Sequence, residues 1–304
     1  MKYMAVGSAM INDIYYADGG KLLGQLGGGG LYGTFGLRLW DDEVKFTASA
    51  GRDFKTYFGP WFARNNLTTA GVREKLEYST YFKVEYHSDG RYDETPVNGN
   101  FADFGYLSVT PEEISRAAGE DTKGIYLIMD TDLVRWEEIL TYKKRQGFQI
   151  MWEINTNRCI PENRKRIETI APQVEFFSIN LPETKSVFGV QTEEEALQAL
   201  IGLHTNVLFR VGKKGLYVIM DGQAKFYPTI TGEHEMDPTG CGNSSTAAAL
   251  YAYCEGGDRD MIGTVANVTS AINVQFQGLC QDITPALRDK AKEMVRHYYK
   301  LFQA

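Results

Sequence analysis

Four cysteines in 304 residues, Cys159, Cys241, Cys254 and Cys280, lie far apart with no C-x-x-C pair. That leaves neither a zinc-site spacing nor a disulfide framework, and it suits a reducing, cytoplasmic setting. Long apolar runs are missing too. The longest, Ile125 to Met129 and Leu216 to Met220, fall far short of the roughly 20 residues that cross a bilayer, so no membrane partner is expected. The opening MKYMAVGSAMINDIYY has no basic segment followed by a long apolar one, unlike a secretory signal. A basic surplus is absent: 32 Lys and Arg against 39 Asp and Glu give a net charge of −7, which disfavours nucleic acid as a partner. Only 9 prolines, with 23% charged and 43% hydrophobic residues, exclude disordered and fibrous chains. No G-x-G-x-x-G follows the first apolar run, which argues against a nicotinamide-binding Rossmann site.

What the chain does have is alternation. Short apolar runs alternate with longer stretches of helical spacing, the pattern of parallel strands joined by crossover helices. The expected class is α/β, a doubly wound sheet flanked by helices. Tyr3 to Gly7, Val44 to Ala50, Ile125 to Met129, Phe148 to Ile154, Glu175 to Ile179 and Val207 to Val211 read as strands. Gly30 to Trp40, Lys55 to Ala70, Leu133 to Gln146, Glu162 to Ile170 and Glu193 to Gly202 read as helices, and three more close the chain. Thr80 to Tyr86 and Arg91 to Val97 flank His87-Ser88-Asp89-Gly90, a hairpin signal. This excursion is either an edge hairpin or a lid over a site. Asp221-Gly222 marks a second hairpin. With no repeat and no linker, residues 1–304 read as one domain, its lid formed by segments near 13–24 and 80–104.

The sharpest local signal is Asp237-Pro238-Thr239-Gly240-Cys241-Gly242-Asn243, which runs directly into Ser244-Ser245-Thr246-Ala247-Ala248. Glycines let backbone amides turn inward, and a helix start adds unpaired N–H groups and its positive end. That arrangement would hold an anion. A plain glycine turn with Asn243 or Ser244 as helix cap satisfies the same letters.

The order of features over nearly the whole chain resembles the PfkB, or ribokinase-like, family of sugar and nucleoside kinases. The run D-P-T-G-C-G-N is similar to that family's D-T-x-G-A-G-D, whose glycine amides stabilise the transferring phosphoryl group and whose last Asp is the general base. The resemblance assigns Gly240, Cys241 and Gly242 to the anion hole and puts Asn243 in the base's place. Asn180-Leu181-Pro182-Glu183 resembles N-x-x-E, so Asn180 and Glu183 are implied to organise a hydrated magnesium ion. Asp13 and the glycines Gly28 and Gly29 of the Gly27 to Gly30 run are implied to hold the substrate. Gly51 and Asp53 match the family's G-x-D. Gly212 and Gly215 resemble T-x-G-x-x-G, and Ala266-Asn267 the Ala-Asn of a late helix, so Gly212, Gly215, Asn267 and Asp237 are implied at the nucleotide. The implied cofactors are ATP, magnesium and a monovalent cation. Separately, Tyr81, Phe82 and Val84 alternate with polar residues and leave one lid face needing cover, so a homodimer through the lid is expected.

Several positions depart from that pattern. Arg210 stands for the usual Thr or Ser. Glu153-Ile154-Asn155 replaces D-x-N, with Arg158 one place late. The Asn that follows the Gly-Gly motif is missing, with Gly33 or Thr34 near its place. Cys241 reads as a small space-filler, although a helix start favours a thiolate. Asn243 is the departure with chemical weight, because an amide accepts a hydrogen bond from a hydroxyl but does not take its proton, and a positioned base supplies about 10²–10⁴-fold. Asp237 is the nearest alternative base in sequence. The expected activity is ATP-dependent phosphoryl transfer to a hydroxyl of a small sugar-like or nucleoside-like substrate. The competing expectation is a ligand-binding or regulatory module that keeps the fold without the chemistry. Asn243→Asp, being nearly isosteric, is expected to cost little stability and to raise turnover.

Overall fold

The computed structural model describes residues 1–87, 92–99, 107–231 and 235–303. Strand β1 (Tyr3–Val6) is buried at every position, and its side chains alternate between two cores, as a period of two requires. Tyr3 and Ala5 join the core on one face, Met4 and Val6 the core on the other. Around it lie β4 (Val44–Gly51), β5 (Val72–Leu76), β8 (Gly124–Met129), β9 (Gln149–Ile154), β10 (Phe176–Asn180), β11 (Val207–Arg210), β12 (Gly215–Met220) and β13 (Gln223–Pro228). These nine strands form one sheet in the order β13-β12-β11-β10-β9-β8-β1-β4-β5. Pairing is parallel from β11 to β5, and antiparallel only for β11 with β12 and β12 with β13. Helices cover both faces, as a parallel sheet demands.

The first face is covered by the Gly29–Arg38 and Phe54–Arg64 helices and the last three helices, Cys241–Cys254, Arg259–Asn273 and Pro285–Gln303. Leu133–Gln146, Arg164–Ile170, Leu181–Phe188 and Glu193–Ile201 cover the other. Local chemistry sets their ends. Asp132 accepts from the N–H groups of Val134 and Arg135 to start Leu133–Gln146, and Gly147, at φ 81°, stops it. The helix expected over Lys55 to Ala70 ends at Arg64. Two elements were not read from the sequence: β5, a largely charged edge strand paired only with β4, and the short helix Pro111–Ala117, whose Thr110 and Glu113 capping box with Pro111 at its start was the signal available.

A second sheet, in the order β3 (Lys21–Gly27), β2 (Met10–Tyr15), β6 (Thr80–Tyr86) and β7 (Tyr92–Pro96), makes the expected β excursion. It uses more chain than segment 13–24, since β2 begins at Met10 and β3 runs to Gly27. Residues 88–90 of the expected turn, and 100–104 of the expected lid, lie outside the described residues. Phe82 and Val84 are buried within the chain, whereas Tyr81 is half-buried and Leu23 of β3 is exposed.

Strand β1 lies between β4 and β8, and the chain leaves it toward opposite sides of the sheet. In such sheets the crevice beyond the strand ends at this switch point is where ligands bind. A cavity of about 260 Å³ lies here, lined by Gly7, Ser8, Ser49, Ile128, Asp130 and Asn155 among others.

Candidate active site

The Cys241–Cys254 helix starts at Gly240, whose φ of 76° is left-handed. Only glycine adopts this readily, and a Cβ there would also overlap the Tyr32 ring. The Cys241 N–H bonds back to Pro238 O at 3.1 Å. The N–H groups of Gly242 and Asn243 make no hydrogen bond among the described residues, so they project ahead of the helix with its positive end. Asp237 braces the loop from behind. Its two carboxylate oxygens accept from Thr239 N and Gly278 N, each at 2.9 Å, so both hold the shape of the loop.

The Gly29–Arg38 helix closes one wall. Gly29, Gly33 and Gly36 recur at helical spacing on one face, where a Cβ would overlap Ile128, the Tyr126 ring and the Ser244 backbone respectively. The three glycines let this helix lie directly against the strand end and the Cys241–Cys254 helix. Gly29 also borders Asn243: its Cβ would sit 3.0 Å from the Asn243 amide nitrogen.

Behind the loop lies a charged cluster. Asn243 Nδ2 donates to Tyr126 Oη at 3.0 Å and to Glu153 Oε1 at 3.2 Å. Tyr126 gives its own proton to the other Glu153 oxygen. Arg210 Nη2 donates to Glu153 Oε1 at 2.9 Å and stands 4.0 Å from Glu183 Oε2. The remaining Arg210 fork faces the loop: Nε is buried without a partner among the described residues, and a Cβ at Gly242 would overlap Nη1. Burial pushes the Tyr126 hydroxyl well above the usual tyrosine range, and Glu153 pushes it further. Burial works against the Arg210 charge, but Glu153 and Glu183 outweigh it and hold the guanidinium protonated. Cys241, by contrast, is a thiol. Burial raises it, donation from Asn273 Nδ2 at 3.3 Å lowers it less, and the net shift is upward.

Asn180 and Glu183 are brought together as a reciprocal cap of the Leu181–Phe188 helix. Asn180 Oδ1 accepts from Glu183 N, and Glu183 Oε2 from Asn180 N, each at 2.9 Å. Glu183 Oε1 takes a further bond from Thr156 Oγ1 at 2.8 Å. With its oxygens so engaged, Glu183 suits a metal that keeps its own waters. No cluster of three or more His, Cys, Asp or Glu that would cage an ion occurs among the described residues.

On the nucleotide side, Gly212 and Gly215 bracket a short turn after β11. Asn267 Nδ2 donates to Tyr227 O and Pro228 O at 3.2 and 3.1 Å, and Thr229 N to Lys214 O at 2.9 Å, which gathers the three residues at one sheet edge. On the substrate side, Gly28 and Gly29 lie against Ser8 and Asn243. Asp13 is held apart, its Oδ1 accepting from Gly24 N at 2.7 Å and Tyr81 Oη at 3.0 Å. The neighbouring Asn12 has its amide beside Gly27. Tyr32, Tyr126 and Asn12 were not read as site residues, and Glu153 and Arg210 were read only as departures. The spacing of Gly29, Gly33 and Gly36 was the one signal that could have pointed to Tyr126.

A nine-stranded, largely parallel sheet with helices on both faces, a small β sheet beside its switch point and a glycine loop opening a helix defines a ribokinase-like fold. Solved structures agree. Arabidopsis thaliana ribokinase, complexed with ribose and ATP, superposes with TM-score 0.75 at 17% identity, covering 97% of this chain and 98% of its own. Burkholderia thailandensis nucleoside kinase, complexed with inosine, gives 0.72 at 16% identity, covering 98% and 97%. Sinorhizobium meliloti adenosine kinase gives 0.75 at 14% identity, covering 96% and 98%. An uncharacterized protein of Schizosaccharomyces pombe is 22% identical, across 92% of this chain and 86% of its own. Residues 2–286 match the model of the pfkB family carbohydrate kinases, and the chain belongs to that family.

Proposed function

We propose that the protein transfers the terminal phosphoryl group of ATP to a hydroxyl of a small sugar-like or nucleoside-like substrate. The observation that carries this reading is the convergence at one helix start. The N–H groups of Gly242 and Asn243, unbonded among the described residues, open the same helix start that the inward fork of Arg210 abuts at Gly242. Phosphoryl transfer needs mainly positioning and stabilisation of charge. The acceptor oxygen attacks phosphorus, the bond to the nucleotide's bridging oxygen breaks with its electron pair leaving on the diphosphate, and the hydroxyl proton passes to a phosphoryl oxygen. Asn243 orients the hydroxyl by accepting its hydrogen bond. Without a base, the rate sits about 10²–10⁴-fold below what a carboxylate there would allow.

Gly28 and Gly29 bring backbone to the substrate, and Asp13 reaches it as the small sheet closes over the single domain. Gly240 and Cys241 shape the turn, and Asp237 braces it. A magnesium ion carried by the phosphates would neutralise their charge, with Asn180 and Glu183 reaching it through its waters. Asn273 Oδ1, buried without a partner among the described residues behind Thr239, is an oxygen that a monovalent cation could use. Tyr16, Leu23 and Val97 leave exposed apolar surface on the small sheet, and a homodimer through that sheet would cover it. No helix among the described residues is long and apolar enough to cross a membrane, and the proposed setting is cytoplasmic. A binding module without turnover is favoured by one feature, the amide at position 243.

Nucleotide binding tests the reading. Magnesium-ATP should raise the melting temperature by linkage, and Gly242→Ala, which crowds Arg210 out of the loop, should abolish that rise. No shift of the wild type at millimolar nucleotide would overturn it.

A further inference from the structure

Glu153 sits at the end of β9, apart in sequence from every glycine of the loop, yet it touches three residues of the transfer centre. Tyr126, from β8, gives its only proton to Glu153, so its oxygen can only accept from Asn243. Glu153 Oε1 is likewise an acceptor. With an acceptor on each of these contacts, the Asn243 carboxamide has one satisfied orientation: Nδ2 inward, Oδ1 away from the cluster. That orientation is what an acceptor hydroxyl would require. Three departures from the family pattern, at 153, 210 and 243, are thus scattered in sequence and in direct contact in space.

We infer that Glu153 is a positioning residue of the phosphoryl-transfer centre, which fixes the Asn243 amide with its oxygen toward the acceptor hydroxyl, and that in this chain a carboxylate at 243 conflicts with Glu153, whose side chain, one methylene longer than the Asp of the family's D-x-N, reaches that position. The inference rests on the kinase reading above. Two carboxylates at the observed 3.2 Å cannot both ionise, while the buried guanidinium of Arg210 needs one. The other titratable groups facing Glu153 and Arg210 do not relieve the conflict. Tyr126 keeps its proton, Cys159 is a thiol pushed up to about 12 by burial first and then by Glu183, and Glu183 is already an anion's distance from Arg210. Asn243→Asp alone is therefore not the clean swap that its shape suggests, because it sets a carboxylate against Glu153.

The test compares wild type, Asn243→Asp, Glu153→Gln and the double substitution, by thermal unfolding from pH 5 to pH 9 and by steady-state turnover of magnesium-ATP with and without a sugar and nucleoside panel. In Asn243→Asp one carboxyl must keep its proton in the fold, so its folded pKa lies above the unfolded value and stability falls as pH rises. Its melting temperature should match wild type most closely at pH 5 and lie about 5 °C below it at pH 8. The double substitution should return to the wild-type value with a flat pH dependence. Its kcat should exceed that of wild type by about tenfold or more, with KM for ATP within about threefold, while Glu153→Gln alone should lower kcat and leave that KM unchanged. An Asn243→Asp protein as stable as wild type at pH 8, or a double variant no more active than Asn243→Asp, would overturn the inference. Stability coupling with no turnover in all four proteins would remove the kinase reading and, with it, the positioning role, leaving a structural pair.

Discussion

Around residue 240 the chain works through its backbone, with N–H groups turned outward by a left-handed glycine and helix faces stripped to hydrogen so that they can touch. Directly behind, at the ends of β8, β9 and β11, it works through side-chain charge: one carboxylate, one guanidinium, one phenol and one amide. The first region keeps the motif pattern of the pfkB family, and the second departs from it at 153, 210 and 243. The cradle tolerates little addition, because an added Cβ meets a ring at Gly240 and Gly33, backbone at Gly36, and side chains at Gly29 and Gly242. A charge cluster tolerates exchange, provided that the buried charges still balance.

The largest effect should come from breaking that balance. Glu153→Ala strands the Arg210 guanidinium and should cost about 3–5 kcal/mol in urea unfolding, whereas adding Arg210→Met should recover most of it. A deficit that persists in the double variant would show that Glu153 packs rather than pairs. In the cradle, Gly36→Ala pushes a methyl into the Ser244 backbone and should cost about 1–3 kcal/mol; a neutral outcome would mean that the helix can retreat. Tyr126→Phe removes a bond on each side and should cost about 1–2 kcal/mol. It should also change the alkaline limb. The buried Tyr126 keeps its proton in the fold but loses it near its ordinary value when unfolded, so wild-type stability falls as pH climbs above about 10, and the Phe variant should fall less steeply. Cys241→Ala should shift stability by less than about 1 kcal/mol, and in the parent protein iodoacetamide should label Cys241 slowly at pH 7, since that thiol is raised and half-covered.

The strands were legible because burial on both faces leaves short apolar runs, as in Ile125 to Met129, and the last two helices because of their apolar periods; Cys241–Cys254, uncapped by any side chain and buried from Ser244 to Leu250, was legible from the glycine loop before it. The edge strand β5 was not, since its charged VREKL faces solvent along much of its length and gains its conformation from pairing with β4. In the site, Gly240, Gly212 and Gly215 were legible because their positive-φ backbone favours glycine, and Gly242 because it completes the same motif. Glu153 and Tyr126 were hidden, because a buried carboxylate and a phenol in apolar strands acquire meaning only when parallel pairing puts them on one face, Glu153 two residues along from the Met151 that pairs with Tyr126. Asp13 shows the opposite limit: its type suits sugar hydroxyls, but its two hydrogen bonds to Gly24 and Tyr81 are set by strand register.

The most direct test of the central claim, that this centre moves a phosphoryl group, is ³¹P NMR of the wild-type protein with magnesium-ATP across a panel of sugars and nucleosides. The account predicts a phosphomonoester resonance growing in step with ADP for at least one acceptor, slowly, as suits an amide at position 243. ADP without any ester, or an unchanged ATP spectrum in the presence of an acceptor shown by calorimetry to bind, would contradict it.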